Sequence, residues 1–240
     1  MDVLLLRLDA PLMSFGGPII DSRGVIQAYP ALSMITGLLA NALGVDHSEH
    51  ERLQGLQERV RYAVRRDRGG EVIQDYQTVD FSKPYMDDAR AWTTGGTLEQ
   101  RKGGSASSGT HIRQRDYLAG ACYTVALTLD ASQKSPSLDD LAQALQTPAR
   151  PLFIGRKPCL PANPLYAGRL QAEGLREALS LPTTFPGEDS RDNGPYAVWE
   201  EVRRGDPNAR PYTDRRDWQN QVHTGQRWVK ESQVEMANPA

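Results

Sequence analysis

The chain has 240 residues, 39% hydrophobic and 24% charged, with a formal net charge of −2. This describes a folded protein with room for one large or two small domains and excludes a disordered chain. The near-neutral balance also excludes a body that attracts nucleic acid through a global field, so any RNA site must be a local basic patch. Cys122 and Cys159 form no CxxC pair. Two such thiols fit a reducing cytoplasm and argue against a disulfide framework or a cysteine zinc site. No apolar run approaches the ~18 residues of a membrane span, and the N-terminus lacks the basic region of a signal peptide. The expected location is the cytoplasm, with no membrane partner.

Residues 3–8 are a short, nearly continuous apolar run ending at Asp9-Ala10-Pro11, as in a buried strand. After a Gly/Pro loop, Ser33 is expected to cap a helix burying Ile35, Leu38, Leu39, Ala42 and Leu43, which Gly44 ends in a left-handed conformation. Ser48 with Glu51 predicts a capping box and a second helix that buries Leu53 and Leu56. Residues 59–66 alternate: Val60, Tyr62 and Val64 point one way and Arg59, Arg61 and Arg65 the other, which predicts a strand with a basic face. Residues 123–129 read as another strand. Ser137 and Asp140 cap a helix carrying Leu138, Leu141, Ala142 and Leu145. Residues 148–154 are the last apolar stretch of this series, broken by Gly155.

The expected order is β-α-β-β-α-β, an α+β ferredoxin-like arrangement. A long insertion at about residues 74–120 separates its second and third strands, and loops of that length are generally functional or disordered. Residues 196–202 and 226–229 are further candidate strands, in a C-terminal region from about residue 168 that reads as a small subdomain or extension.

The insertion gathers Arg101, Lys102, His111, Arg113, Arg115 and Tyr117 between Gly-rich segments. Cations neutralise phosphates, and Tyr or Arg planes stack on unpaired bases. Glu99 and Asp116 dilute this charge, and the same residues also describe a solvated loop. Gly155-Arg156-Lys157-Pro158 offers a close backbone approach to a phosphate flanked by two cations, or a simple tight turn. His47 and His50 lie three apart, but a solvated interhelical turn accounts for them better than a metal site. There is no G-x-S-x-G, H-E-x-x-H or Walker A pattern. His111, with Tyr76 or Lys102, has the chemistry for metal-free RNA cleavage.

Several blocks resemble the CasD family of CRISPR-associated proteins. They are residues 4–16 (LLLRLDAPLMSFG), 30–45 (PALSMITGLLANALGV), 61–67 with Asp75-Tyr76-Gln77-Thr78-Val79, Asp116-Tyr117-Leu118 before Cys122, and Phe153-Ile154-Gly155-Arg156-Lys157-Pro158-Cys159 with Pro164-Leu165-Tyr166. They recur in order over about the first 170 residues. The resemblance implies a ferredoxin-like RAMP domain at residues 1–167, with the insertion as a thumb. It implies a non-catalytic subunit that clasps the 5′ handle of the guide RNA at the foot of the Cascade complex. Its neighbours would be a CasC-like backbone subunit and a CasA-like large subunit, guide processing would belong to CasE, and no cofactor is implied. The RNA-binding set so implied is Ser14, Arg23, Arg61, Arg65, Tyr76, Arg101, Lys102, His111, Arg113, Arg115, Tyr117, Arg156 and Lys157. A sister branch cuts the guide precursor with a Tyr, a Lys and a His. Here Thr110 precedes His111 where that branch has lysine, which leaves an endoribonuclease as the alternative. A protein-only scaffold is the third reading and fits the charge.

Overall fold

The computed structural model describes residues 1–20, 22–80, 90–92, 98–100, 110–130, 134–181 and 194–237. The strands are β1 (Asp2–Asp9), β2 (Leu12–Met13), β3 (Gly16–Ile20), β4 (Arg23–Ile26), β5 (Val60–Arg68), β6 (Glu71–Asp80), β7 (Arg90–Trp92), β8 (Leu98–Gln100), β9 (Thr110–Ala119), β10 (Cys122–Leu129), β11 (Tyr166–Gln171), β12 (Tyr196–Val202), β13 (Ala209–Tyr212), β14 (Arg216–Asp217), β15 (Val222–His223) and β16 (Arg227–Val234). The helices are α1 (Leu32–Ala42), α2 (His50–Arg59), α3 (Leu138–Gln146) and α4 (Leu175–Ser180). The fold is mixed α/β and richer in strands than the sequence led us to expect.

The chain divides into two compact units. The first comprises Met1–Gly16, Ile26–Val72 and Tyr117–Ala240; the second comprises Gly17–Val25 and Ile73–Asp116. The first is built on a seven-stranded sheet in the order β11-β1-β10-β5-β12-β16-β13. Its neighbouring strands are antiparallel throughout.

Period two divides this sheet's side chains between two cores. Leu4, Leu6, Leu8, Val60, Tyr62, Val64, Val125 and Leu127 join the main cluster, with Ile35 and Leu39 of α1, Leu53 and Leu56 of α2 and Leu141 and Leu145 of α3. The opposite face sends Val3, Leu5, Ala63, Ala126 and Val198 into a smaller cluster with Ala178 and Leu179 of α4. Every residue of β10 is therefore buried. Residues 196–202 and most of 226–229 form strands as expected, and they continue this sheet rather than starting another.

Helix α3 forms with the full Ser137–Asp140 capping box and buries the four residues read from the sequence. Gly44 has φ +75, the left-handed conformation expected after α1. Three local expectations are corrected. Ala31, not Ser33, is the N-cap of α1; the Leu32 amide donates instead to Asp214 Oδ2 at 2.8 Å, from a residue 182 positions away. Ser48 caps nothing, because its amide and hydroxyl both donate to Asp46 Oδ1 in a local turn, and α2 begins at His50. Residues 148–154 form no strand: Pro148 and Pro151 lack amide donors, and Asn41 Nδ2 donates to the Pro151 carbonyl (2.7 Å). The edge strand is supplied later, by β11.

In the second unit β4 runs parallel to β9, pairing Arg23 with Gln114 and Gly24 with Arg115. β3 lies beyond β4, and β6 pairs with β9. No described helix is long and apolar enough to cross a membrane.

Candidate nucleic-acid interface

Loops and strand surfaces place the expected contact residues in three different environments. The first is the loop at residues 154–159. The Ile154 amide donates to the Cys159 carbonyl (2.8 Å) and the Cys159 amide to the Arg156 carbonyl (2.9 Å), which closes the loop on itself. The Ser14 amide donates to the Ile154 carbonyl at 3.1 Å. Gly155 has φ +97, and a Cβ there would lie 1.8 Å from the Ser14 carbonyl oxygen. The close approach that Gly155 permits is thus made to the protein's own backbone. The loop still presents its cations: Lys157 is exposed, and the Arg156 guanidinium sits 4.9 Å above the Tyr117 ring. The ring holds Arg156 in place through a cation–π contact. Burial raises the Cys159 thiol pKa, opposed by hydrogen bonding and charge from Arg156.

The second environment is the surface of the second unit. Arg23 is 60% exposed, with its guanidinium 3.8 Å from the Asp116 carboxylate. Gln74 Nε2 donates to the other Asp116 oxygen at 3.0 Å, so this acid is a local organiser and not only a diluting charge. Arg113 and Arg115 are partly exposed on β9. Tyr76 on β6 is 57% exposed, with Ile19, Ile73 and Ile112 also exposed in this unit. A strand surface that mixes cations, an open phenol ring and apolar side chains can take both phosphates and unpaired bases. Arg101 and Lys102 lie outside the described residues, as do residues 81–89, 93–97 and 103–109 of the expected thumb. His111 lies on β9, but its side chain is likewise outside the description.

The third environment is the interior, where three expected contact residues reside. Arg65 has no exposed surface. Its Nε donates to Asp67 Oδ1 at 2.6 Å, and it reaches the Leu179 carbonyl and Met236 Sδ. The Thr124 hydroxyl donates to the other Asp67 oxygen at 2.5 Å. The strand face read as basic is covered because α4 and the C-terminal segment pack over it, and Arg65 serves as a buried ion pair there. Arg61, at the open end of the same face, pairs with Asp130 at 2.6 Å. Arg59 donates to the carbonyls of Asp130, Lys134, Ser135 and Pro136 and clamps the turn before α3. Ser14 and Tyr117 are also buried; the Ser14 hydroxyl finds no partner among the described residues, and Tyr117 acts through Arg156. In this conformation Ser14 and Arg65 offer no surface to RNA.

Sequence reasoning missed a second buried cluster. Arg227 makes a bidentate contact with Asp214 (2.8 and 2.7 Å) and donates to the Tyr62 hydroxyl, which itself donates to the Pro30 carbonyl (2.7 Å). Burial raises the Tyr62 pKa well above the ordinary phenol range, so it remains a neutral donor. No pattern within ten residues announces Asp214. Arg66 was also passed over, although strict alternation puts it on the Tyr62 and Val64 face. Burial, aided by Asp67, pushes the Cys122 thiol up to about 12, which keeps it an inert core residue. Among the described residues, no three His, Cys, Asp or Glu side chains are grouped to hold a metal ion.

Comparison with known proteins gives these positions a family context. A family model described as CRISPR-associated protein (Cas_Cas5) matches residues 3–230. The chain is 31% identical over 184 residues to the CRISPR system Cascade subunit CasD of Escherichia coli (strain K12), covering 73% of this chain and 75% of that one. Among solved structures, it resembles a chain of a CRISPR RNA-guided surveillance complex with TM-score 0.69 and 24% identity, covering 98% of this chain and 90% of that one. A crystal structure of a Cas protein matches with TM-score 0.64 and 26% identity, over 99% of this chain and all of the other. With the family model spanning nearly the whole sequence, the chain belongs to the Cas_Cas5 family of CRISPR-associated proteins.

Proposed function

We propose that this protein is the subunit of a type I Cascade surveillance complex that clasps the 5′ handle of the guide RNA without cutting it. The observation that carries this reading is the 31% identity to a Cascade subunit over three quarters of both chains. The strand order supports the architecture the reading requires. β1, α1 and α2, β5, β10, α3 and β11 run in β-α-β-β-α-β order, and β11-β1-β10-β5 is the antiparallel order of a ferredoxin-like sheet. The stretch carrying β6 to β9 is inserted between β5 and β10, the second and third strands of that unit, where a thumb belongs. Arg156 and Lys157 on one loop and Arg23, Arg113 and Arg115 on the second unit are the candidate phosphate contacts. A CasC-like backbone subunit and a CasA-like large subunit are the proposed neighbours, and the cytoplasm the proposed location.

The test is to incubate the purified chain with labelled repeat RNA in EDTA, and separately to assemble the complex from its operon with this subunit deleted. Binding without cleavage, with loss of stable complex in the deletion, is the expected result. A discrete metal-independent cut would instead make the chain the processing enzyme. Absence of RNA from assemblies that contain it would reduce it to a protein scaffold.

A further inference from the structure

On the first unit, a pocket of about 800 Å³ opens between residues 27–29, the Arg66 end of β5, and strands β12, β13 and β16. Its aromatic lining is ordered. Tyr29 stacks on Trp199 with ring centroids 5.4 Å apart and planes 21° apart, and the Tyr212 ring lies 5.0 Å from Tyr29, tilted 40° to it. The row continues into the core through Tyr123 and Phe15. The segment bearing Tyr29 is fixed: the Tyr123 hydroxyl donates to the Ala28 carbonyl at 3.0 Å, and the Gln27 amide to the Phe15 carbonyl at 2.6 Å. Trp199 is buried, while Tyr29 and Tyr212 remain partly open.

Three charges converge on these rings. Arg66 is exposed with its guanidinium 5.7 Å above Trp199, Arg210 lies on the rim, and Glu231 stands opposite Trp199 in the β12–β16 ladder. Most cations of this unit are tied down: Arg65 to Asp67, Arg61 to Asp130, Arg169 to Asp2 and Asp139, and Arg227 to Asp214. Arg66, Arg210 and Glu231 have no ion-pair partner among the described residues. A rigid aromatic wall with unpaired charge of both signs, two positive and one negative, suits a ligand that is flat, carries negative charge beside the ring and bears a hydrogen-bond donor on its edge. An unpaired nucleotide has all three features. A peptide meets the first only through an aromatic side chain and offers no anion fixed beside it.

We propose that this pocket receives one unpaired nucleotide of the guide RNA. Its base packs against the open parts of the Tyr29 and Tyr212 rings, and Arg66 and Arg210 engage the adjoining phosphates. Glu231 accepts a hydrogen bond from an exocyclic amino group, as a carboxylate does from cytosine. Adenine, cytosine and guanine carry such a group. Uracil presents acceptors there and is disfavoured. The proposal rests on the reading of the protein as a guide-RNA clasp and adds a base-selective subsite to it.

A substitution scan of repeat-derived single-stranded RNA, bound to the full-length protein, tests the subsite. Each RNA carries one uridine or one abasic residue. The expected result is one position where both changes weaken binding, the abasic residue by at least about fivefold, the low end of losing a single stacked base. Glu231→Gln should abolish discrimination against uridine at that position alone. The double variant Arg66→Ala/Arg210→Ala should lower the salt slope of binding by about 0.7 for each phosphate no longer neutralised. All these side chains are exposed, so the thermal transition should stay in place. RNA binding with a flat scan, or a scan the variants leave unaltered, overturns the subsite and leaves the clasp standing. Variants that bind RNA normally but lose a neighbouring subunit from the assembled complex would reassign the pocket to protein docking. A wild-type chain that binds no RNA, alone or assembled, removes the clasp and the subsite together.

Discussion

Strands β10 and β6 are close in length and opposite in environment. All eight residues of β10 are buried between β1 and β5, under helices on both faces. On β6, residues 71–78 are all exposed, including Val72, Ile73 and Tyr76. β10 is held by burial of apolar surface, at about 25 cal/mol per Å² removed from water. β6 is held chiefly by ladder hydrogen bonds, which contribute little net stability each. The arginines divide in the same way: those on or beside the β10 sheet are mostly spent on carboxylates and carbonyls, while Arg113 and Arg115 stay partly exposed on β9. Residue type alone therefore does not mark an RNA contact. An element the fold does not need to cover is the one free to be covered by something else.

The contrast can be broken most severely at the buried end. Asp214→Ala strands the Arg227 guanidinium in the core and removes the cap of α1, and should cost about 3–5 kcal/mol in urea unfolding. Tyr76→Ala on β6 should change stability by no more than about 0.5 kcal/mol. If the two substitutions proved equally damaging, β6 would be part of a packed core and the distinction would collapse. Gly155→Ala comes next. A left-handed φ and an overlap with the Ser14 carbonyl predict a loss of about 2–3 kcal/mol. A neutral result would mean the loop relaxes away from Ser14.

Cations sharpen the comparison with a smaller effect. Two phosphate contacts to single-stranded RNA carry a combined salt slope of about 1.4, so binding attributable to them falls about sevenfold between 50 and 200 mM salt. Arg113→Ala/Arg115→Ala and Arg156→Ala/Lys157→Ala should each remove that increment, the first with the unfolding curve in place and the second at a stability cost of about 0.5–1 kcal/mol for the lost Arg156–Tyr117 contact. Arg65→Met should do the reverse, lowering stability with no change in slope. A slope change in the Arg65 variant at temperatures where it stays folded would show that the buried arginine reaches RNA after all.

Local signals made much of the fold legible. Alternation gave β5, an apolar run gave β1, and the i, i+3, i+4, i+7 spacing with Ser137 gave α3. What stayed hidden depends on partners far along the chain. The cap of α1 comes from Asp214, 182 residues on, and no window around Ser33 could reveal it. Arg65 read as basic surface because alternation distinguishes the two faces of a strand and cannot say that both will be covered. The last strand of the expected order was sought in residues 148–154 on hydrophobicity, where two prolines prevent it, and the edge strand β11 was overlooked because its Gly168 and Arg169 break the apolar run. The pocket aromatics Tyr29, Trp199 and Tyr212 are too dispersed in sequence to signal one another.

A smaller loss than those of Asp214→Ala and Gly155→Ala lies at the start of α3, on a cap the structure makes in full. Ser137 accepts from the Asp140 amide, and Asp140 accepts from the Ser137 amide and hydroxyl. Ser137→Ala removes the hydroxyl's part of that exchange and should cost about 1 kcal/mol at pH 7. The Asp140 carboxyl is held below the usual carboxylate range, chiefly by the bond from the Ser137 amide and then by the hydroxyl. A depressed folded-state pKa stabilises the fold above the unfolded value of ~3.9, and that contribution is lost as the pH falls through the lower, folded value. Asp140→Asn keeps an acceptor oxygen but loses the charge. Its deficit relative to wild type should be largest at neutral pH and should shrink as acid protonates the wild-type residue. Urea unfolding of both proteins at pH 7 and near pH 3 measures the two gaps. Equal gaps would mean that the Asp140 charge contributes nothing and the cap works through neutral hydrogen bonds alone.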